Sequence, residues 1–515
     1  MLKRLSICLL LVAAMLSGCA VNPVTGKKEL SLVPESTELA IGQEQYLPSR
    51  QMQGGDYTTE PAINAYVNEV GQRLATVSDR KLPYEFTVIN DSTPNAWALP
   101  GGKIAINRGL LTELNSEAEL ASVLGHEIVH AAARHSAKGM ERAMLLQGAV
   151  LAVGLVSQNS EYAQLAVGGA TVGAGLISQR YSRDAEREAD YYGMQYMARA
   201  GYDPRAAIDL QETFVRLSEG RRSDWLSGLF ASHPPSRERV EANRQTAAQL
   251  AADGEVGRER YRQQIAPLIA KKEAYEAYDK GRKAFAEGQT EQALKLAEKA
   301  LSIEPREALF HALRGDVRFK QRRYKDAVVN YDRAVERDDA YFHYYLQRGL
   351  ALRELGEQER AVADLEQSTK LLPTAPALNA LGKASFAEGD RVKAKKYFAA
   401  AAESRSPSGQ EALASLVRLD LPDNPQQYLK VRIGLDRRNY LLAQVVNSTN
   451  VAVTDVQIMI QVIDRTGLRR QIPLRVPGRI GPQQAAQLAT GIGPFADSQD
   501  LRGVQAVVTR ARIAE

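Results

Sequence analysis

The strongest constraint on the fold is a period. Gly281, Gly315, Gly349 and Gly382 are spaced 34, 34 and 33 residues apart, and Ala293, Ala327, Ala361 and Ala394 repeat those intervals. Gly288, Arg322, Gly356 and Gly389 recur in step, at what reads as the turn between two helices. A small residue in each helix of a pair lets the two backbones approach closely. One such pair cannot bury its apolar face alone, so successive pairs must stack and share a continuous core. Residues 273–406 are therefore expected to form an all-α solenoid of four helix pairs. Such an array offers a concave groove to peptides or partner proteins, or packs structurally against a neighbouring domain, and the period does not choose between the two. His311 and His343 lie inside the repeats and are read as groove or core residues.

The second constraint is chemical. Ser116–Arg134 reads SEAELASVLGHEIVHAAAR and holds His126, Glu127 and His130 in an HExxH pattern. Ser116 and Glu119 make a helix-start signature, and Leu120, Leu124, Ile128 and Ala131 recur at core spacing. On a helix the three site residues fall at about 0°, 100° and 40°, on one arc. Two imidazoles so placed can share a divalent metal, and a carboxylate beside them can take a proton from metal-bound water. A buried helix that happens to carry two histidines fits the same pattern, so the position of a third ligand decides the matter.

At 515 residues the chain has room for about three domains. Its formal charge of +5, or +3 once Lys3 and Arg4 are removed, speaks against nucleic acid as a partner. Those two cations open a targeting segment. Leu5–Leu16 is an apolar run too short to span a bilayer, and it leads into LSGC, Leu16–Cys19. That ending resembles a bacterial lipobox, which implies a lipoprotein signal peptide over 1–18, cleavage before Cys19 and lipid on its sulfur and new amino group. Ala20, in place of Asp, implies sorting to the inner face of the outer membrane. Cys8 leaves with the signal, so the mature chain has no disulfide and any metal must be held by His, Asp and Glu.

After Cys19 a polar tether leads to helices expected from Pro34 and over Ala62–Leu74. A strand over Tyr84–Asn90, a Gly101–Gly102 turn and a strand over Lys103–Asn107 follow. The last strand is either a core strand or an edge strand open to an extended peptide. Beyond the HExxH helix, Ala143–Ser157 and Ala163–Ser178 are Gly- and Ala-rich apolar runs. Each is shorter than the ~20 residues of a spanning helix and reads as half of a buried or membrane-facing hairpin. Tyr181–Pro204, YSRDAEREADYYGMQYMARAGYDP, is expected to be a helix ended by Gly201 and Pro204, with Glu186 and Asp190 on one face and Glu188 pointing away. Past the repeats, 407–425 reads as a linker and 426–515 as a small immunoglobulin-like β-sandwich.

HExxH followed by ExxxD within EREAD and then by GYDP is one set of motifs; NPVTG, PNAWALPGG and SHPPSRER (Ser232–Arg239) are another. Together they resemble the zinc endopeptidase family that includes the CAAX prenyl proteases and the heat-shock membrane protease, and within it the periplasmic branch. The likeness covers about Asn22–Leu250, and the 34-residue units are of the tetratricopeptide type. It implies one Zn2+ per chain on His126, His130 and Glu186, with Glu127 as general base and Asp190 as proton donor. Better-known spacings fail: Ala133 and Ser136 stand where HExxHxxGxxH needs Gly and His, and Ala149 and Val150 where a thermolysin-type acid would fall. His135, nine residues from His126 and on the opposite helical face, is not expected to be a ligand. His233 sits in a loop stiffened by Pro234 and Pro235. It is either a latch that reaches the zinc and displaces water, or a structural residue of a loop anchored through Arg239.

The expected fold class is thus multidomain. A mainly α, α+β zincin-like metallopeptidase domain spans 19–250, a helical linker 251–272, four tetratricopeptide repeats 273–406, a linker 407–425 and an all-β sandwich 426–515. The resemblance implies a lipid-anchored periplasmic metalloendopeptidase acting on protein substrates. Outer-membrane β-barrel proteins or their assembly machinery are the implied partners, with the repeats as recruiters. The rival is a chaperone or assembly scaffold in which proteolysis is secondary or lost. A complete set of His126, Glu127, His130 and Glu186 argues against it, since a scaffold has no need of the base.

Overall fold

Two short strands, β1 (Cys19–Val21) and β2 (Lys28–Leu30), pair antiparallel at the start of the described chain. The computed structural model describes residues 19–147, 175–177, 180–219, 232–250, 253–463, 469–496 and 498–514. The signal segment 1–18 and most of the two apolar runs lie outside these residues. Among those described, no helix is long and apolar enough to cross a membrane. The chain divides into two units, Met1–Pro373 and Thr374–Glu515.

In the first unit, α1 (Glu35–Met52) follows Pro34, and α2 (Pro61–Ala75) has proline at its first turn, where no N–H is needed. Strands β3 (Glu85–Ile89), β4 (Ala96–Leu99) and β5 (Lys103–Asn107) form one sheet in the order β3-β5-β4. β3 runs parallel to β5 and β4 antiparallel to it. The strand anticipated just before the HExxH helix is therefore the central strand, buried at all five positions. β3 and β4 are the outer strands, and β4, itself buried at all four positions, joins β5 through Pro100–Gly102, with Gly101 and Gly102 at φ 77° and 83°. That turn seats α1: a Cβ on Gly42 would lie 1.8 Å from the Pro100 carbonyl oxygen. Gly42→Ala is accordingly expected to destabilise the unit by about 3 kcal/mol or more, read as a drop in its thermal midpoint.

Helix α3 (Glu117–Ala132) starts as its sequence dictates. The Ser116 hydroxyl accepts from Glu119 N, and the Glu119 carboxylate reaches back to Asn115 N at 2.9 Å. It ends at Arg134, whose φ of 60° breaks the helix before α4 (His135–Gln147) begins. Ser182 caps α5 (Arg183–Arg199), α6 spans Ala206–Glu219, and Ser236 caps α7 (Arg237–Ala247). α3 and α5 touch backbone to backbone: a Cβ on Gly193 would stand 3.1 Å from His126 N, and one on Gly125 3.2 Å from Gly193 O.

Helix Arg258–Ala270 leads into the repeats, buried through Tyr261, Ile265 and Leu268. Three helix pairs of this unit run from Lys272 to Leu371. Tyr331 and Leu365 lie 2.6 and 2.9 Å from where a Cβ on Gly315 and Gly349 would project, so the period marks close helix contacts. At the turns, Arg322 adopts φ 59° beside glycines at 77° and 80°, which is why the motif survives without glycine there. Glu307 accepts hydrogen bonds from Thr59, Asn90 and Tyr275, and Gln51 bonds Ala340 O and Phe342 N, which fastens the repeats to the α+β part. The repeats also line an open cleft of about 590 Å³, walled by Tyr278, Phe319 and His343 and bordered by the Asp91–Thr93 loop. His343 bonds Asp316 at 3.1 Å and His311 bonds Pro305 O at 2.9 Å, so neither is a ligand of a metal cluster among the described residues.

The second unit opens on the fourth helix pair, Ala375–Ala387 and Arg391–Ala401. The stretch expected as a linker at 407–425 is a correction: it folds as a helix, Pro407–Asp420, capped by Ser406, with Pro407 at the first turn and Ala412, Val417 and Leu419 buried. Proline and serine there start a helix rather than interrupt the chain. Six strands follow in two antiparallel sheets. One contains β6 (Leu429–Leu435), β7 (Leu441–Asn447) and β10 (Ala485–Ala489), ordered β10-β7-β6. The other contains β8 (Val453–Ile463), β9 (Arg469–Arg475) and β11 (Gln505–Ile513), ordered β11-β8-β9. Val445, Val456, Ile458, Ile460 and Val508 share the core between them. β9 and β10 escaped the sequence reading because RRQIPLR and AAQLA, half exposed, carry few large β-formers.

Candidate metal centre

The HExxH helix supplies three side chains to one point, because its buried face must turn towards α5, which the glycine contact draws close. His126 Nε2 and His130 Nε2 are 3.0 Å apart. From α5, Glu186 places Oε1 3.5 Å from His130 Nε2 and Oε2 3.6 Å from His126 Nε2. His233 Nδ1 completes the group, 3.3 Å from His126 Nε2 and 2.9 Å from Glu186 Oε1. The donor atoms of these four residues all lie within 4.8 Å of one another. A tetrahedral ion with bonds of about 2.0–2.1 Å spaces its ligand atoms about 3.3 Å apart, a spacing that the 3.0–3.6 Å separations among His126, His130 and Glu186 approximate. Glu127 adjoins them, buried, with Oε1 3.6 Å from His233 Nε2 and no hydrogen-bond partner for Oε2 among the described residues.

Electrostatics favour a cation at that point. Burial opposes the charge on Glu186, yet His233 and His126 hold its carboxyl well below the usual range. Burial would also strip the His126 proton, but the hydrogen bonds to Asp190 and Glu186 outweigh it and push the group up to about 10. Burial, reinforced by the neighbouring imidazoles, keeps His130 well below its ordinary value, and burial raises Glu127. A divalent ion held by these residues would supply the positive charge that the His126 proton supplies here.

Outer partners fix the rings. His126 Nδ1 lies 3.0 Å from Asp190 Oδ1, and Arg239 binds that carboxylate through Nε and Nη2, each at 2.7 Å. Burial works against ionised Asp190, but Arg239 outweighs it and holds the carboxyl below its usual range. Arg239 Nη1 also reaches Glu186 Oε2 at 3.0 Å and Pro234 O at 3.2 Å, tying the His233 loop to the site. His135, expected on the far face, instead lies on His130, Nδ1 to Nδ1 at 2.9 Å, with its Nε2 3.2 Å from Glu188 Oε2. The break at Arg134 makes the difference, since His135 belongs to the next helix and folds back. Glu188 does point away from Glu186, and it meets His135 there. Tyr181 stacks on His130, ring centroids 3.9 Å apart, with its hydroxyl 2.9 Å from Ser136 Oγ. His135, Glu188 and Tyr181 escaped the sequence reading, because helical phase cannot be carried across a break.

Residues 61–247 match the model described as Peptidase family M48, and residues 342–374 match the Tetratricopeptide repeat. The Metalloprotease YcaL of Escherichia coli (strain K12) is 32% identical over 184 residues, 34% of this chain and 68% of that protein. The chain belongs to peptidase family M48. The resemblance drawn from HExxH, EREAD and SHPPSRER is borne out at this level. Two further relatives match this chain. The Putative beta-barrel assembly-enhancing protease of Vibrio cholerae is 32% identical over 257 residues, 48% of this chain and 52% of that one. The Beta-barrel assembly-enhancing protease of Escherichia coli (strain K12) is 31% identical over 224 residues, 41% and 45% of the two chains. The M48 chain thus spans about half the length of these relatives.

Proposed function

We propose that the chain is a zinc-dependent metalloendopeptidase, lipid-anchored through Cys19 at the inner face of the outer membrane, that cleaves misfolded or stalled outer-membrane proteins. The observation that carries this reading is the convergence of His126, His130 and Glu186 beside the buried Glu127 carboxylate, within an M48 domain. Imidazole and carboxylate donors at tetrahedral spacing suit zinc, and the three residues would hold it. When bound, the ion supplies Lewis acidity to a scissile carbonyl and acidity to water.

The chain's own groups divide the remaining work. Glu127, with a free buried oxygen, is the base that takes a proton from attacking water and passes it to the leaving amine. Asp190, expected as a proton donor, is better placed to orient His126: the ring N–H and two guanidinium N–H groups occupy its oxygens, and Arg239 keeps it ionised. His135 and Glu188 do the same for His130, whose Nδ1–H donates to His135 while His135 donates to Glu188. His135→Ala is therefore expected to weaken metal affinity by roughly 10–100-fold, measured by competition with a chromophoric chelator. The cleft of the repeats is the place for recruiting protein segments, those of β-barrel assembly partners included.

The test uses purified protein, metal analysis and an unfolded outer-membrane barrel substrate. Cleavage with one zinc per chain supports the enzyme. Tight binding of the substrate with no turnover in any metal-loaded state leaves the scaffold reading instead.

A further inference from the structure

The C-terminal sandwich is charged unlike the rest of the chain. Residues 426–515 contain twelve Lys and Arg against six Asp and Glu, a charge of +6, whereas the whole chain carries +5, leaving −1 for residues 1–425. Strand register shows where much of that charge stands. Val456, Ile458 and Ile460 of β8 point into the core, so Gln457, Met459, Gln461 and Ile463 face outward. Their cross-strand partners share that face. Arg475 and Arg510 flank Gln457, Pro473 and Val507 flank Met459, Gln471 and Gln505 flank Gln461, and Arg469 pairs with Ile463. The face thus carries an apolar row between a glutamine row and an arginine row.

Asp455 gathers the arginines. Arg475, Arg510 and Arg512 approach its carboxylate at 3.2, 3.3 and 3.7 Å, while their side chains remain 73%, 45% and 64% exposed. Three guanidinium groups on one carboxylate leave an exposed cluster of two positive charges, with further donors free for planar, bidentate anions such as phosphate. On the same face Val507, paired with Met459, adjoins the arginine row and is 48% exposed, while Ile463 stands farther along β8 beside Arg469 and is 52% exposed. No aromatic side chain lies on these rows, so the face lacks the stacking platform of a nucleic-acid site.

We propose that the outer face of the β9-β8-β11 sheet docks on an anionic membrane surface. The arginine cluster meets headgroup phosphates, and Ile463, Val507 and Met459 enter the interfacial layer. Arginine with exposed aliphatics is the chemistry that binds an anionic lipid surface. With lipid on Cys19 the chain is tethered at one point. Docking of this face adds a second attachment and fixes how the sandwich stands on the bilayer.

The experiment uses the full chain carrying Cys19→Ser, so that no acyl group contributes, and vesicles of phosphatidylcholine with or without about one-third phosphatidylglycerol. Co-sedimentation with the anionic vesicles alone, weakening as salt rises from about 0.05 to about 0.5 M, is the expected result. Arg510→Gln with Arg512→Gln should lower vesicle affinity about tenfold or more. Arg469→Glu with Ile463→Gln and Val507→Gln, which touches none of the Asp455 pairs, should do the same while leaving the unfolding midpoint unchanged. Absence of vesicle binding, equal binding to neutral and anionic vesicles, or variants that bind like the parent would each overturn the proposal. So would capture of an acidic protein by this face with no lipid binding.

Discussion

Glu127→Gln is expected to lower peptide hydrolysis by roughly 10²–10⁴-fold while one metal per chain is retained. Glutamine keeps the shape of the side chain in a site where Glu127 is 2% exposed, and it leaves His126, His130 and Glu186 untouched. What it removes is a carboxylate able to accept a proton. Folding should not suffer, because Glu127 Oε2 makes no hydrogen bond among the described residues and burial already disfavours its charge. Cleavage of an unfolded barrel substrate, metal content and the unfolding midpoint are measured side by side. Turnover equal to the parent's would remove Glu127 from the mechanism, and loss of metal would make it a ligand instead.

His233→Ala is expected to do the opposite and raise basal hydrolysis of a small soluble peptide, by about tenfold or more if the closed state outweighs the open one by a few kcal/mol. His233 Nδ1 stands at the corner of the donor set that a reacting water or substrate carbonyl would need. Its loop is held by Arg239 Nη1 on Pro234 O, which is the anchoring expected, and the latch is the reading that this variant tests. The anchor sets the loop, and the loop sets the imidazole. Removing the ring opens the corner without disturbing the Arg239–Asp190 pair that orients His126. An unchanged basal rate with metal still bound would make the loop structural only, and a lost rate would make His233 part of the chemistry.

Much of this architecture was legible because local rules acted alone. Ser116 and Glu119 announced the start of α3, the 34-residue period announced stacked helix pairs, and alternation announced four of the six sandwich strands. Legibility failed where a side chain's neighbours come from another element. The central place of β5 depends on β4, a strand of four residues too short to signal itself. Helix Pro407–Asp420 reads as a linker in sequence because turn-forming residues at its start weigh more locally than the buried face behind them.

The candidate site divides along the same line. HExxH spacing by itself puts His126, Glu127 and His130 on one arc, since helical geometry fixes the relation of residues four apart. The distance from that arc to Glu186, the arrival of His233 from a separate loop, and the return of His135 across the break at Arg134 were decided only by tertiary packing. Gly125 against Gly193 lets two backbones meet, and no local propensity encodes such a contact. Sequence determined which chemistry this protein can attempt. The packed structure decided which groups meet there: Glu186 from a second helix, Asp190 and His135 against the two rings, and His233 from a loop.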